Sequence, residues 1–374
     1  MDTIEIKTKE DTKSLLEVLE GKNINFLIGS GASMPFLKTL AIEGSKHSFE
    51  DLYTEACNQK RGNAIDFLNA YLADKSLIKG SYNNIINNQE SLAVRQEYSS
   101  FIHNVYDILQ RTSIQQPRRV NIFTTNYDMF FECCFDEELK QNNYICINDG
   151  SCGFVNKTIT TQRYHQKVMN VGVDNRFDYE LPMFNLIKLH GSLNWTIKNE
   201  KITIDNNLFD NYQSYEETSF SYLINLCNIN DVSYIIDQLD NFKSQDCKEI
   251  SQLVNSLLIV KPKKDKFEET VFQEHYYQCL RIFSQELERN QSVLIVFGFS
   301  FADEHIYSIL KRSLVNPGLL VFVICYNEDD KRNFEEKFKD NYNVKLIVNQ
   351  MLKSNNFGDF KFVNYLLSGG FNCE

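Results

Sequence analysis

Short, nearly continuous apolar runs punctuate the chain, with polar stretches of helical spacing between several of them. The runs are NINFLIG (23–29), RVNIFTTNY (119–127), NLIKLHG (185–191), SLLIV (256–260), SVLIVFGF (292–299), LLVFVICY (319–326) and VKLIV (344–348). Their length and branching predict strands buried on both faces. ESLAVRQEYSSFIHNVYDILQR (90–111) repeats Phe101, Ile102, Val105, Ile108 and Leu109 at helical spacing. DEHIYSILKRSLV (303–315) and EDDKRNFEEKFKDNY (328–342) separate the last three runs in the same way. Alternation of helices with buried strands predicts an α/β fold, a Rossmann-like doubly wound parallel sheet.

Two regions break the rhythm. Residues about 45–115 read as amphipathic helix without a strand, a helical insertion in the α/β domain. Residues about 197–255 combine a hairpin-like piece, IKNEKITI (197–204), with polar helical segments, a smaller insertion or lid. The core is then expected in segments of about 1–44, 116–196 and 256–350. In the tail of about 351–374, FGDFKFVNYLLSGG (357–370) reads as a packed terminal helix.

Composition narrows the class. A chain of 374 residues can bury a core that needs no disulfide or metal. No apolar run approaches a membrane span, and MDTIEIKTKEDTK lacks an apolar signal region, so a cytoplasmic protein away from membranes is expected. None of the ten cysteines forms a CxxC pair, which favours reduced core thiols over a zinc ribbon. The net charge of −11 argues against direct nucleic-acid binding. PRR (117–119) and KPKKDK (261–266) are too short to make a polyphosphate track and read as solvated loop charges.

The candidate chemistry gathers where apolar runs stop. Gly29-Ser30-Gly31-Ala32-Ser33 follows INFLI directly, and glycines at such a turn let backbone approach a ligand closely. The GxGxxG fingerprint is not met, because Met34 and Pro35 follow, and a plain tight turn remains an equal explanation. Thr124-Thr125-Asn126-Tyr127-Asp128 ends the second run and points polar groups at the crevice where α/β folds bind ligands. Asn126 can hold a ribose hydroxyl or a water, whereas Asp128 can equally cap the helix MFFECCFDEEL. His190-Gly191-Ser192 ends NLIKL, and a histidine there can take a hydroxyl proton. After SVLIVF, Gly298 permits close approach, Ser300 can bond phosphate or ribose, and Asp303 is placed to cap the helix EHIYSIL.

The order GSGAS, TTNYD, LHGS, GFSFADEHI resembles the sirtuin-like family of NAD-consuming enzymes, over about residues 20–35, 119–130, 184–195 and 292–330. The resemblance implies NAD+ as substrate, its pyrophosphate on Gly29, Ser30, Gly31, Ala32 and Ser33. It implies that Asn126, with Thr125 beside it, positions ribose and the attacking group, and that Asp128 contacts the nicotinamide side. His190 would be the base for a ribose hydroxyl, Gly298 and Ser300 would lie against the phosphate and adenosine half, and Asn327 would contact adenosine. The chain departs from the protein deacylases of that family: MPFLKTLAIEG replaces their PDFR-like loop, and their zinc cysteines are missing, so no zinc is expected. The helical insertion is similar to bacterial sirtuin-like proteins of antiphage defence, which hydrolyse NAD, some in complexes with a HerA-type translocase ATPase. The expectation is an NAD+ glycohydrolase that releases nicotinamide and ADP-ribose, as a homo-oligomer and with such an ATPase as a candidate partner. Asn126 would orient water and His190 would share a hydroxyl proton. A deacylase or ADP-ribosyltransferase, and a non-catalytic NAD or ADP-ribose sensor, are the competing expectations.

Overall fold

A computed structural model describes residues 2–38, 47–111, 116–176, 178–209, 223, 226, 231–261, 270–351 and 357–370. Residues 262–266 of the KPKKDK group, and Cys227 and Cys373, lie outside them. The strands in chain order are β1 (Asp2–Ile6), β2 (Asn23–Ile28), β3 (Arg119–Thr124), β4 (Cys146–Asn148), β5 (Ser151–Cys152), β6 (Thr158–Ile159), β7 (Met169–Asn170), β8 (Tyr179–Glu180), β9 (Met183–Lys188), β10 (Trp195–Lys198), β11 (Lys201–Ile204), β12 (Ser292–Phe297), β13 (Leu319–Ile324) and β14 (Val344–Asn349). Eight of them form one sheet in the order β1-β14-β13-β12-β2-β3-β9-β4, with every neighbouring pair parallel. From β2 the chain builds outward through β3 and β9, then returns to the other side of β2 for β12, β13 and β14. The strand order therefore reverses between β2 and β12, where the carboxyl ends of a doubly wound sheet leave a crevice.

Both faces of the sheet are covered, which is why its strands read as continuous apolar runs. Alternate residues of β2 enter opposite layers: Ile24, Phe26 and Ile28 join one apolar cluster, Leu27 the other. On the first face Phe101 of the helix Leu92–Arg111 meets Phe26 edge-on at 4.9 Å, and Phe360 of the helix Phe360–Leu367 lies 5.0 Å from Phe297. On the second face Phe283 of the helix Thr270–Leu287 packs edge-on against Phe123 at 4.9 Å. The helices Glu304–Ser313 and Glu328–Phe338 complete that layer through Ile306, Leu310, Phe334 and Phe338.

A buried asparagine ladder crosses this apolar sheet. Asn25, Asn121, Asn185 and Asn148 stand in register on β2, β3, β9 and β4. Asn121 Nδ2 donates to Asn25 Oδ1 at 2.8 Å, Asn185 Nδ2 to Asn121 Oδ1 at 2.9 Å, and Asn148 Nδ2 to Asn185 Oδ1 at 2.9 Å. Asn25 Nδ2 ends the chain of bonds on Ser292 Oγ of β12. A slip of one residue would turn every amide to the other face, so the ladder favours a single register.

Four expectations change. SLLIV is not a strand: after the helix Gln245–Ser256 it makes one isolated bridge, Ile259 to Gly191. Its alternate side chains still enter both apolar clusters, which explains the run, but the sheet position beside β9 is taken by β4. Residues 47–111 of the expected insertion are mostly helical, 45–46 and 112–115 lying outside the described residues, yet the last helix, Leu92–Arg111, covers the central sheet and belongs to the sandwich. Its earlier helices Phe49–Asn58 and Gly62–Leu72 form one body with Val232–Asp240 and Gln245–Ser256 of the second insertion. Asn69 Nδ2 donates to Ser251 Oγ at 2.9 Å, and Phe67 meets Phe242 at 5.2 Å. Finally, the PRR arginines are not solvated: Arg118 is buried over the Tyr179 ring, and Arg119 pairs with Glu286 at 3.1 Å. The hairpin at 197–204 forms as β10–β11, within a small antiparallel sheet of order β10-β11-β6-β5.

Candidate functional site

The carboxyl ends of β2, β3, β9 and β12, neighbours in the sheet, carry the four motifs. At the reversal point the two glycine-bearing turns lie backbone on backbone. Gly29 N–H donates to Phe297 O at 3.1 Å and Gly31 N–H to Gly298 O at 3.0 Å. A Cβ on Gly29 would stand 2.3 Å from Gly298 O, and one on Gly31 2.7 Å from Gly298 Cα. Gly298 itself has φ +62°. The room left by these glycines is thus occupied by the neighbouring turn, and their absence of side chains is explained before any ligand is invoked.

Below that turn lies a buried polar network. Ser33, 1% exposed, donates to Asp128 Oδ2 at 2.7 Å. Its oxygen accepts from Asn126 Nδ2 at 3.3 Å and lies 2.9 Å from Tyr98 OH on the helix Leu92–Arg111. One donor and two acceptor directions exhaust the hydroxyl. Asp128 Oδ1 accepts from Phe130 N at 3.3 Å, but the N-cap of the helix Phe130–Gln141 is Met129, so Asp128 stands one residue ahead of the cap position expected for it. Burial pushes the Asp128 carboxyl up, against the pull of Lys188. Asn126 is 7% exposed, and its Oδ1 has no hydrogen-bond partner among the described residues. That open acceptor is where a ligand hydroxyl or water would complete the network.

Lys188, the one charge in the mostly apolar strand β9, anchors the same loop from beneath. Its Nζ donates to the carbonyls of Tyr127 and Asp128 and to Ser192 Oγ, and pairs with Glu132 Oε1 at 2.7 Å. Burial raises the Glu132 carboxyl, and Lys188 opposes the rise.

His190 follows β9. Its Nε2 lies 3.0 Å from Asp303 Oδ2, an ion-pair contact off the line of a ring N–H bond, with side chains 12% and 7% exposed. Asp303 Oδ1 meanwhile accepts from His305 N at 2.9 Å and Ile306 N at 3.1 Å, capping the helix as expected. The carboxylate therefore does two jobs, and only the cap was legible in the sequence. His190 is fixed on its other sides too: Val260 N–H donates to its carbonyl at 2.8 Å, and Tyr127 OH donates to Val260 O at 2.6 Å. Burial drives the Tyr127 hydroxyl far above its ordinary range.

Residues 254–347 match a family model described as a SIR2-like domain. This SIR2-like stretch contains β12 and β13, and so Gly298, Ser300, Asp303 and Asn327, but neither Asn126 nor His190. It supports a sirtuin-like family, whose members use NAD+. No curated protein matches the chain.

The other expected residues fall around the crevice without sharing in its network. Ser30 and Ser300 are exposed, Ala32 is core, and Thr125 N–H donates to Ile28 O at 3.2 Å. Asn327 lies one strand further out, past β13, where its side chain caps a helix by accepting from Asp330 N at 2.9 Å. Tyr98, Glu132 and Lys188 went unread in the sequence. Only Lys188 left a signal there, a charge inside an apolar strand. Among the described residues no group of three His, Cys, Asp or Glu side chains is placed to hold a metal, and no helix is long and apolar enough to cross a membrane.

Proposed function

We propose that the chain is an NAD+ glycohydrolase acting at the ends of β2, β3, β9 and β12. One observation carries this reading: Asn126 presents a buried, unpartnered acceptor at the end of β3, while the adjacent strand end presents His190 against Asp303. The residues fit the substrate, since a ribose hydroxyl or a water is the donor that Asn126 Oδ1 lacks. NAD+ supplies a pyridinium leaving group, so the protein needs no strong acid. Ser33 and Asp128 hold the Asn126 amide by its nitrogen side and leave its oxygen to orient water or ribose. Asp303 favours the proton on His190 Nε2, which leaves Nδ1 as the basic nitrogen. The overall change is hydrolytic. The ribose–nicotinamide bond breaks, a water oxygen replaces nicotinamide, and one proton is released, which His190 is suited to take.

The test is nicotinamide release from NAD+ by the purified chain, with His190→Ala and Asn126→Ala alongside. Each variant should lose about 10²–10⁴ in rate while keeping its fold. Wild-type turnover in a folded His190→Ala protein would remove the assignment, and NAD+ binding without release would point to a sensor. A homo-oligomer in antiphage defence, paired with a HerA-type ATPase, is the biological setting we propose. Its support is the sequence resemblance alone.

A further inference from the structure

A large cavity lies away from the strand ends. A space of about 1080 Å³ opens beside the edge strand β4 and shares no residue with the Gly29–Ser33 turn, Asn126, His190 or Gly298. We infer that it is a second ligand site, one that takes a nucleotide with an amine-bearing base. The inference does not depend on the NAD+ reading.

Asn194 marks the inner end. It is 5% exposed and lines the cavity; its Nδ2 donates to Asn206 Oδ1 at 2.9 Å, and its Oδ1 has no donor among the described residues. Glu132 lines the same wall. Its Oε1 is taken by Lys188, whereas its Oε2 is buried with no partner among the described residues. A smaller void lined by Glu132, Lys188, Asn194 and Trp195 adjoins this end. Two buried acceptors without donors ask for a ligand that donates, such as an exocyclic amine. The other carboxylates of the lining are committed: Asp136 pairs with Lys140 at 2.8 Å, and Asp149 accepts from Ser151 N at 2.9 Å. Phe135 and aliphatic neighbours supply apolar walls against which a base can lie. Lys157 and Arg163 line the cavity with no carboxylate at ion-pair distance among the described residues, unlike Lys167, which Glu180 approaches at 3.9 Å. Arg163 Nε is also buried with no partner among the described residues. Donor-seeking acceptors at one end, apolar walls and the two cations Lys157 and Arg163 match an amine-bearing base joined to a phosphate.

Trp195 is the only tryptophan, so its emission reports on the inner wall. The full chain is titrated with AMP, CMP and UMP, following Trp195 fluorescence, with calorimetry for stoichiometry. AMP or CMP should bind once per chain, at least tenfold tighter than UMP, which lacks the amine. Asn194→Leu should weaken binding about tenfold or more, and so should Lys157→Glu at the exposed rim, where folding is not at risk. No saturable binding of AMP or CMP, or equal affinity in the wild type and both variants, would overturn the site.

Discussion

Asp303 offers a substitution that separates its two contacts. In Asp303→Asn the cap demands an oxygen at the Oδ1 position, because His305 N and Ile306 N both donate there. The amide nitrogen must then take the Oδ2 position, 3.0 Å from His190 Nε2. An N–H₂ group facing Nε2 makes that nitrogen an acceptor and moves the imidazole proton to Nδ1, the nitrogen needed as base. Asparagine caps a helix about as well as aspartate, and losing the charge at a helix N-terminus costs about 0.3–1 kcal/mol. Stability should therefore fall by no more than about 1 kcal/mol. The rate should fall by about 10²–10⁴, in line with loss of a base and with tautomer inversion in comparable dyads, at nearly unchanged KM. Nicotinamide release gives the rate, urea unfolding the stability, and the ¹⁵N shifts of His190 the tautomer independently of turnover. Asp303→Ala should add the loss of a cap, about 0.5–2 kcal/mol, to the same rate defect. A folded Asp303→Asn protein within threefold of wild-type turnover, or one whose His190 keeps its proton on Nε2, would refute the reasoning.

Two further outcomes test the fold around the site. Asn121→Ala strips Asn25 Oδ1 of its donor and removes two buried hydrogen bonds, so unfolding in urea should show a loss of about 2–4 kcal/mol, with a smaller loss for Asn148→Ala at the half-buried end; a change below about 1 kcal/mol for Asn121→Ala would deny the ladder its role. His275 is pushed down to about 4 by burial, so between pH 6.5 and 4 the unfolded chain binds a proton that the fold refuses, and stability falls as pH falls; the wild type should lose about 2 kcal/mol more than His275→Gln between pH 8 and 5, read from unfolding midpoints at each pH.

Much of the sheet was legible because a parallel strand covered on both faces is apolar at most positions, with only a few hydrogen-bonded polar residues such as Asn25, Asn121 and Asn185. β2, β3, β9, β12, β13 and β14 all carry that mark. β1 escaped notice because DTIEI is an exposed edge strand with a polar pattern, paired only with β14. SLLIV misled for the converse reason, since burial makes a run apolar whether or not a strand pairs with it. The motifs at the strand ends were visible as polar and glycine residues where apolar runs stop.

The sequence by itself determined the α/β class, the buried strands and which strand ends hold polar groups, because burial and chain direction are local consequences of side-chain pattern. Tertiary structure alone decided which of those groups meet. Asp303 follows His190 by more than a hundred residues, and Tyr98, Ser33 and Asp128 come from three separate elements. Their contacts depend on the order in which parallel strands are laid down. That order also set Gly298 against Gly29 and Gly31, and opened the cavity beside β4. Strand order is fixed by how whole layers pack, and no short window of residues records it.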